Sequence, residues 1–321
     1  MIEVKNLVKR YGTHCAVDHL NFTVEEGQIY GFLGPNGAGK STTMNIMTGY
    51  LSPTEGEVIV SGHKISEEPE EVRKLIGYLP EIPPLYTDMT VRETLEFAAG
   101  LKTVPKREIP GQIEKVMEMT HISQVANRIV KNLSKGYRQR VGLAQAMIGF
   151  PPVIILDEPS VGLDPQQIIE IRELILSLAK DHIIILSSHI LSEIQEVCNH
   201  ILIINHGKLI ASDTPENLEA CFGKDNSLEL TAKSSAEAVK RALSAVEGIH
   251  VDDISEAEGQ VEVKLTYPKK KDLRVSLFYA FAKENCPIVT MKVTEATLEQ
   301  VFLNLIAEDA KAEQAEEAPG E

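Results

Sequence analysis

Cysteine is scarce and scattered in this chain of 321 residues: Cys15, Cys198, Cys221 and Cys286 lie far apart, and none belongs to a C-x-x-C pair. That spacing excludes a zinc knuckle and a disulfide framework, and reads as reduced, mostly structural thiols. No apolar run approaches the roughly 18 residues that a membrane-spanning helix needs. The amino-terminal MIEVKNLVKRYG lacks a signal-peptide apolar region, so a cytosolic protein is expected. A basic surplus is missing as well. The formal charge of −15 argues against a broad basic surface that grips nucleic acid, and no nucleic-acid partner is expected. Part of that charge is local: residues 308–321 carry six acidic side chains against Lys311 and read as a solvated, frayed tail.

What remains is ordinary for a globular protein with a sizeable core, 43% hydrophobic and 25% charged. The length suggests about two domains. One stretch carries most of the information. Gly34-Pro35-Asn36-Gly37-Ala38-Gly39-Lys40-Ser41 fits the P-loop pattern G-x-x-x-x-G-K-[ST]. The apolar run Ile29 to Leu33 before it reads as a buried strand, and Thr42 to Tyr50 after it as a helix. Glycines let successive N–H groups converge on an anion, and the helix start adds partial positive charge. Lys40 is expected to reach the β- and γ-phosphates of a nucleotide, and the Ser41 hydroxyl to ligate Mg²⁺.

Taken in order, residues 2–8 largely alternate apolar and polar as a half-exposed strand would, and 17–24 read as a second strand. Residues 51–63 read as a turn and a short strand, and Ile76 to Glu81 as another strand before a proline-rich loop. From Thr90 to Asn127 the pattern becomes helical, which predicts a helical subdomain inserted in an α/β core. Leu133-Ser134-Lys135-Gly136-Tyr137 then heads a helix with Ser134 as its N-cap, by itself an ordinary capped start. Residues 153–158, Val-Ile-Ile-Leu-Asp-Glu, form an apolar strand ending in two carboxylates, where α/β folds place ligands. Asp157 is expected to hold Mg²⁺ directly or through water, and Glu158 to polarise an attacking water. Gly162-Leu163-Asp164-Pro165 reads as a tight turn before a helix from Gln166 to Lys180. A strand from Ile183 to Leu186 follows, with His189 just past its end and poised for a γ-phosphate contact.

The P-loop, LSKGY, VIILDEPS, GLDP and SSH occur in the order and setting of the ATP-binding subunits of ABC transporters, which residues 1–220 closely resemble. The resemblance implies that Tyr11 stacks on adenine, that Gly34 to Thr42 form the Walker A loop, and that Glu81 occupies the Q-loop position beside the metal. It makes Ser134, Lys135 and Gly136 the signature, Asp164 the D-loop residue and His189 the switch histidine. Two positions depart from the family pattern: Glu81 stands where glutamine is usual, and the signature reads LSKGY instead of LSGGQ. Ser134 and Gly136 are kept and Lys135 adds a cation. Both changes look like variants of exporter-type ATPases. With Glu158 and His189 in place, the resemblance implies a hydrolysing site.

Beyond Leu218 no motif continues. Residues 227–232, a helix from Ala236 to Val246 capped by Ser235, strands at 249–254 and 261–267 about a Glu-Gly turn, a helix over 273–284 and a strand over 288–293 follow. Their β-α-β-β-α-β order predicts a ferredoxin-like α+β module. A last helix, Leu298 to Ile306, presents Leu298, Val301, Phe302 and Leu305 as an apolar stripe. Its T-L-E-x-V-F start resembles helices of polysaccharide, lipid, drug and gliding-motility exporter ATPases. The module holds no catalytic constellation; a dimerisation or regulatory role is favoured over a stabilising appendage.

The expected organisation is therefore a P-loop ABC cassette over 1–222 with a helical subdomain at about 88–150, an accessory domain over 223–307 and the acidic tail. In such a family one ATP lies between the P-loop of one subunit and the signature of another. The resemblance thus implies MgATP as ligand, a second ATP-binding subunit, and transmembrane permease subunits docked near the Glu81 loop and the helical insertion. The chain itself would sit peripherally on the inner face of the membrane. Two competing readings are a soluble cassette acting on ribosomes or DNA, and a non-hydrolysing regulatory module. One cassette per chain, no sustained heptads and the acidic balance speak against the first, Glu158 and His189 against the second.

Overall fold

The structure is a computed structural model that describes residues 1–222, 225–257, 259–268, 272–294, 298–299, 301–303 and 305–307. The chain divides into two compact units, Met1–Thr214 and Pro215–Glu321.

In the first unit β1 (Ile2–Tyr11) and β2 (His14–Val24) pair antiparallel. Their register slips three times, and Asn6 sits at φ +48. These bulges explain why apolar–polar alternation fails at Leu7 and Val8, both buried; the strand itself runs on to Tyr11. The chain crosses to a second sheet at β3 (Ile29–Leu33), buried at all positions, and turns into α1 (Lys40–Met47), two residues ahead of the expected helix start. It returns through β4 (Glu55–Val60) and β5 (His63–Lys64) to complete the order β2-β1-β4-β5. Next comes α2 (Pro69–Leu75), a helix that the sequence pattern alone did not suggest. Its start and stop signals are nonetheless plain: Pro69 at the first turn with Glu70 and Glu71, then Arg73 and Lys74 in the last.

After β6 (Ile76–Leu79) the helical subdomain splits into α3 (Val91–Leu101) and α4 (Ile109–Met119), which pack with α5 (Lys135–Met147). A Thr90–Glu93 capping box fixes the first of these, through bonds of 3.2 and 2.8 Å. Then follow β7 (Val153–Asp157), α6 (Pro165–Leu178), β8 (Ile183–Ser188), α7 (Leu191–Val197), β9 (His200–Asn205) and β10 (Lys208–Asp213). The second sheet has the order β10-β9-β3-β8-β7-β6, parallel except at β10. Its central strands are covered on both faces, so they read as continuous Val, Ile and Leu. Each such side chain, fully buried, contributes about 1.5–3 kcal/mol. Burial also pushes the Cys198 thiol up, away from reactivity.

The second unit holds α8 (Pro215–Phe222), β11 (Asp225–Ala232), α9 (Ala236–Ser244), β12 (His250–Ala257), β13 (Gln260–Pro268), α10 (Arg274–Lys283) and β14 (Ile288–Thr294). The antiparallel order β12-β13-β11-β14 is that of a ferredoxin-like sheet, and its alternate residues Val261, Val263, Leu265 and Tyr267 are buried in its core. Ser235 caps α9 through the Ala238 N–H, as expected. Leu298, Val301 and Leu305 are buried and helical, in keeping with the apolar stripe. Glu258 of the expected turn and the tail 308–321 lie outside the described residues. Cys15, Cys198 and Cys286 are free thiols. Among the described residues no helix is long and apolar enough to cross a membrane.

Candidate functional site

The loop between β3 and α1 is shaped by what its glycines touch. A methyl on Gly34 would overlap the Ile204 carbonyl oxygen of β9, so only glycine lets the loop leave the sheet here. Gly39 has φ +103, and a methyl there would stand 2.5 Å from the Ala16 oxygen. Gly39 opens α1 without a side-chain cap, so the first-turn N–H groups are left for a ligand. Lys40 folds back over the loop. Its ammonium is buried, donates to the Gly34 and Pro35 carbonyls at 2.7 and 3.2 Å, and lies 4.0 Å from Glu158 Oε1. Burial lowers its pKa, while the Glu158 and Asp157 carboxylates oppose the shift.

Strands β7 and β8 bring the acidic side together. Asp157 closes β7 opposite Ser187, whose Oγ donates to Asp157 Oδ1 at 2.5 Å and accepts the Glu158 N–H at 3.0 Å. Glu158 therefore leaves the strand instead of extending it, at φ +49, an uncommon conformation for a side chain of this kind. Its side chain is 9% exposed and its Oε2 is 2.9 Å from His189 Nδ1. Beside them lies a cleft of about 500 Å³ whose walls include Tyr11, Asn36, Lys40, Ser41, Thr42, Glu81, Glu158 and His189. Tyr11 is half exposed, with the Lys9 ammonium 5.2 Å above its ring.

A buried cation, open backbone N–H groups and a hydroxyl at one end of this cleft fit a polyphosphate. Among the described residues no group of three or more His, Cys, Asp or Glu makes a self-sufficient metal site. Ser41 and Glu81 do line the same cleft, and Asp157 is anchored behind it, so a hard cation fits when phosphate oxygens complete its shell.

The remaining predicted residues lie apart. Gly136 and Asp164 line a second, polar cleft of about 520 Å³ with Tyr137, Arg140 and Gln167. Ser134 caps α5 through the Tyr137 N–H at 3.4 Å, and Asp164 caps α6 through the Gln167 N–H at 2.9 Å. Lys135 is exposed, and its ammonium rests against Gly162. The Gln167 side chain covers Gly136, and the Tyr137 hydroxyl accepts from Gln124 at 3.1 Å. One chain thus carries two separate clefts.

Sequence reasoning did not reach the polar groups that stand behind these residues. Ser187 joins both carboxylate residues, and Glu193 accepts from Ser160 and Ser188 at 2.5 and 2.9 Å. The signal for Ser187 was present: a polar pair ending a fully apolar strand.

Comparison with known proteins gives a consistent picture. The profile of a family described as ABC transporter matches residues 17–161. The bacitracin transport ATP-binding protein BcrA of Bacillus licheniformis is 33% identical over 308 residues, 95% of this chain and 97% of that protein. A solved ATP-binding subunit of an ABC transporter superposes with TM-score 0.64 at 30% identity, over 70% of this chain and 93% of its own. The ATP-binding cassette MJ0796, solved as a dimer in a post-hydrolysis state bound to ADP and Pi, gives TM-score 0.62 at 26% identity, over 67% and 98%.

Proposed function

Since the chain belongs to the ABC transporter family of ATP-binding proteins, we propose that it is the subunit that couples ATP binding, dimer closure and hydrolysis to drug- or antibiotic-type export through separate permease subunits. The observation that carries the hydrolytic reading is the Glu158 carboxylate, bonded to His189 at the mouth of a cleft that also holds the Lys40 ammonium. Gly34 to Thr42 would cradle the phosphates and Tyr11 would stack on the base. Lys40 would stabilise phosphoryl charge from its buried position. Glu158 would orient water and take its proton, and His189, held by its Nδ1 bond, would fix that carboxylate and present its other ring nitrogen to the γ-phosphate. Ser41, Asp157 and Glu81 would hold Mg²⁺, which when bound neutralises phosphate charge.

The second cleft completes the scheme. Ser134, Lys135, Gly136 and Asp164 are separate from the P-loop cleft of their own chain, so they would close over the γ-phosphate of a second subunit. A head-to-tail dimer, homo- or heteromeric, would therefore be joined by ATP and released by hydrolysis. Permease subunits would dock on a groove of about 540 Å³ lined by Tyr50, Tyr78, Ala98 and Leu101, near the exposed Ile82 and Tyr86 that follow Glu81. They would hold the chain at the inner face of the membrane. The second unit would serve dimerisation or regulation.

The test is Mg-ATPase activity of the purified chain beside Glu158→Gln, with light scattering in ATP. The expected outcome is turnover in the parent, none in Glu158→Gln, and an ATP-dependent dimer that accumulates only in the variant. A parent that stays inert even with its permeases present would overturn the hydrolytic reading.

A further inference from the structure

Glu193 makes contacts that its own helix does not need. It lies in the first turn of α7, at the position where a glutamate ordinarily reaches back to the start of the helix. Here that duty falls to Ser188, whose Oγ accepts the Ile190 N–H at 3.0 Å. The Glu193 carboxylate turns instead to two hydroxyls on different segments. Its Oε2 accepts from Ser160 at 2.5 Å and from Ser188 at 2.9 Å. Both serines are buried, Ser160 at 8% and Ser188 at 0% exposure, so each hydroxyl needs an acceptor and the shared charged oxygen supplies it.

The two segments so joined matter. Ser188 precedes His189 directly. Ser160 follows Glu158 by two positions and precedes Asp164 by four, and the turn bonds Val161 N–H to Glu158 oxygen (3.2 Å) and Leu163 N–H to Ser160 oxygen (3.1 Å) stiffen that stretch. On the other face of β8, Ser187 holds Asp157 and the Glu158 N–H. Adjacent serines thus point two ways: Ser187 secures the hydrolytic carboxylates, and Ser188 hands the strand end to Glu193 and through it to the Asp164 turn.

We propose that Glu193 is a positioning residue that ties the His189 strand end to the Ser160–Asp164 loop, so that the hydrolytic site and the half-site offered to a second subunit are set together. The inference rests on the proposed roles of Glu158, His189 and Asp164. Displacement of either loop leaves the P-loop and Tyr11 in place, so binding of nucleotide persists while its turnover suffers.

The experiment compares full-length Glu193→Ala, Glu193→Gln, Ser160→Ala and the Ser160→Ala/Glu193→Ala double variant by steady-state Mg-ATPase. Glu193→Ala should lower kcat by about tenfold or more with KM for ATP changed less than about twofold. Glu193→Gln, whose amide oxygen still accepts both hydroxyls, should recover most of the rate. Ser160→Ala should reproduce the loss, and the double variant should be no worse than either single one, as expected for one shared interaction. An unchanged kcat in Glu193→Ala, or losses that simply add in the double variant, would overturn the proposal. If Glu193→Ala fails to fold, Ser160→Ala alone decides: full kcat refutes the tie, and lost kcat at unchanged KM supports it. A parent inert even with its permeases present would fail the underlying hydrolytic reading, whereas an active parent with an indifferent Glu193 fails only this inference.

Discussion

Lys102 offers a measurement in which the structure sets both sign and size. It follows α3 directly, and its ammonium is drawn against the end of α5, donating to the Ala146 and Ile148 carbonyls at 2.9 and 2.8 Å. Burial pushes its pKa down to about 8 from 10.5. Between those values the folded chain gives up a proton that the unfolded chain keeps. The unfolded state then binds more protons, so stability rises with pH across that window. For a shift of this size the linkage relation gives a total gain of about 3 kcal/mol, most of which falls between pH 7 and pH 10. Other groups add their own pH dependence to the total, so the reading must be a difference. Lys102→Met removes the titration and keeps the apolar stem; the orphaned carbonyls cost the variant the same at either pH and cancel. Urea unfolding followed by far-ultraviolet circular dichroism suits a chain without tryptophan. The parent should gain about 2–3 kcal/mol on Lys102→Met between pH 7 and pH 10, with unchanged urea dependence. A flat difference would mean that the ammonium stays solvated. A falling one would mean that an anion pairs with it, and either result refutes the burial argument.

Two shorter predictions concern the P-loop and the helical subdomain. Gly39→Ala forces a side chain into φ +103 and against the Ala16 oxygen, so it should lose binding of a fluorescent ATP analogue and about 1–3 kcal/mol of stability. Thr90→Ala breaks the capping box of α3 and should lower stability by about 1 kcal/mol in urea while leaving KM for ATP unchanged.

The parts of the fold that are legible in the sequence are those where one physical demand acts alone. Strands β3, β7 and β8 are covered on both faces, so nothing but burial shapes their composition, and their expected ends fall within two residues of the observed ones. The accessory unit is legible for the opposite reason: β13 is buried on one face only, and Val261, Val263, Leu265 and Tyr267 alternate with polar neighbours. Elements answering to two demands escape such a reading. Helix α7 has seven residues and no side-chain cap, since Ile190 carries no polar side-chain atom, and its Glu193 is committed across the loops. β10 closes the sheet antiparallel with most of its residues half-buried, so it shows neither a continuous apolar run nor clean alternation.

The site shows the same division, with one instructive exception. The P-loop residues are contiguous, so their spacing alone reveals them. Glu158 and His189 are 31 positions apart, and their meeting depends on how β7 and β8 align. That alignment is in fact written in the sequence. Val153-Ile154-Ile155-Leu156 and Ile183-Ile184-Ile185-Leu186 are runs of equal length, each followed by a polar pair, and in register the pairing is Val153 with Ile183 through Asp157 with Ser187. A parallel sheet buried on both faces favours the register that ends both apolar runs together, since a slip would draw Asp157 or Ser187 into the core unpaired. Once Asp157 faces Ser187, the next residues along both strands emerge at the same edge, and His189 has only to follow Ser188 to reach the Glu158 carboxylate. Two apolar runs that stop together therefore announce a shared polar edge from composition alone. What they leave unstated is Glu193, which reaches that edge from a helix to which neither run points.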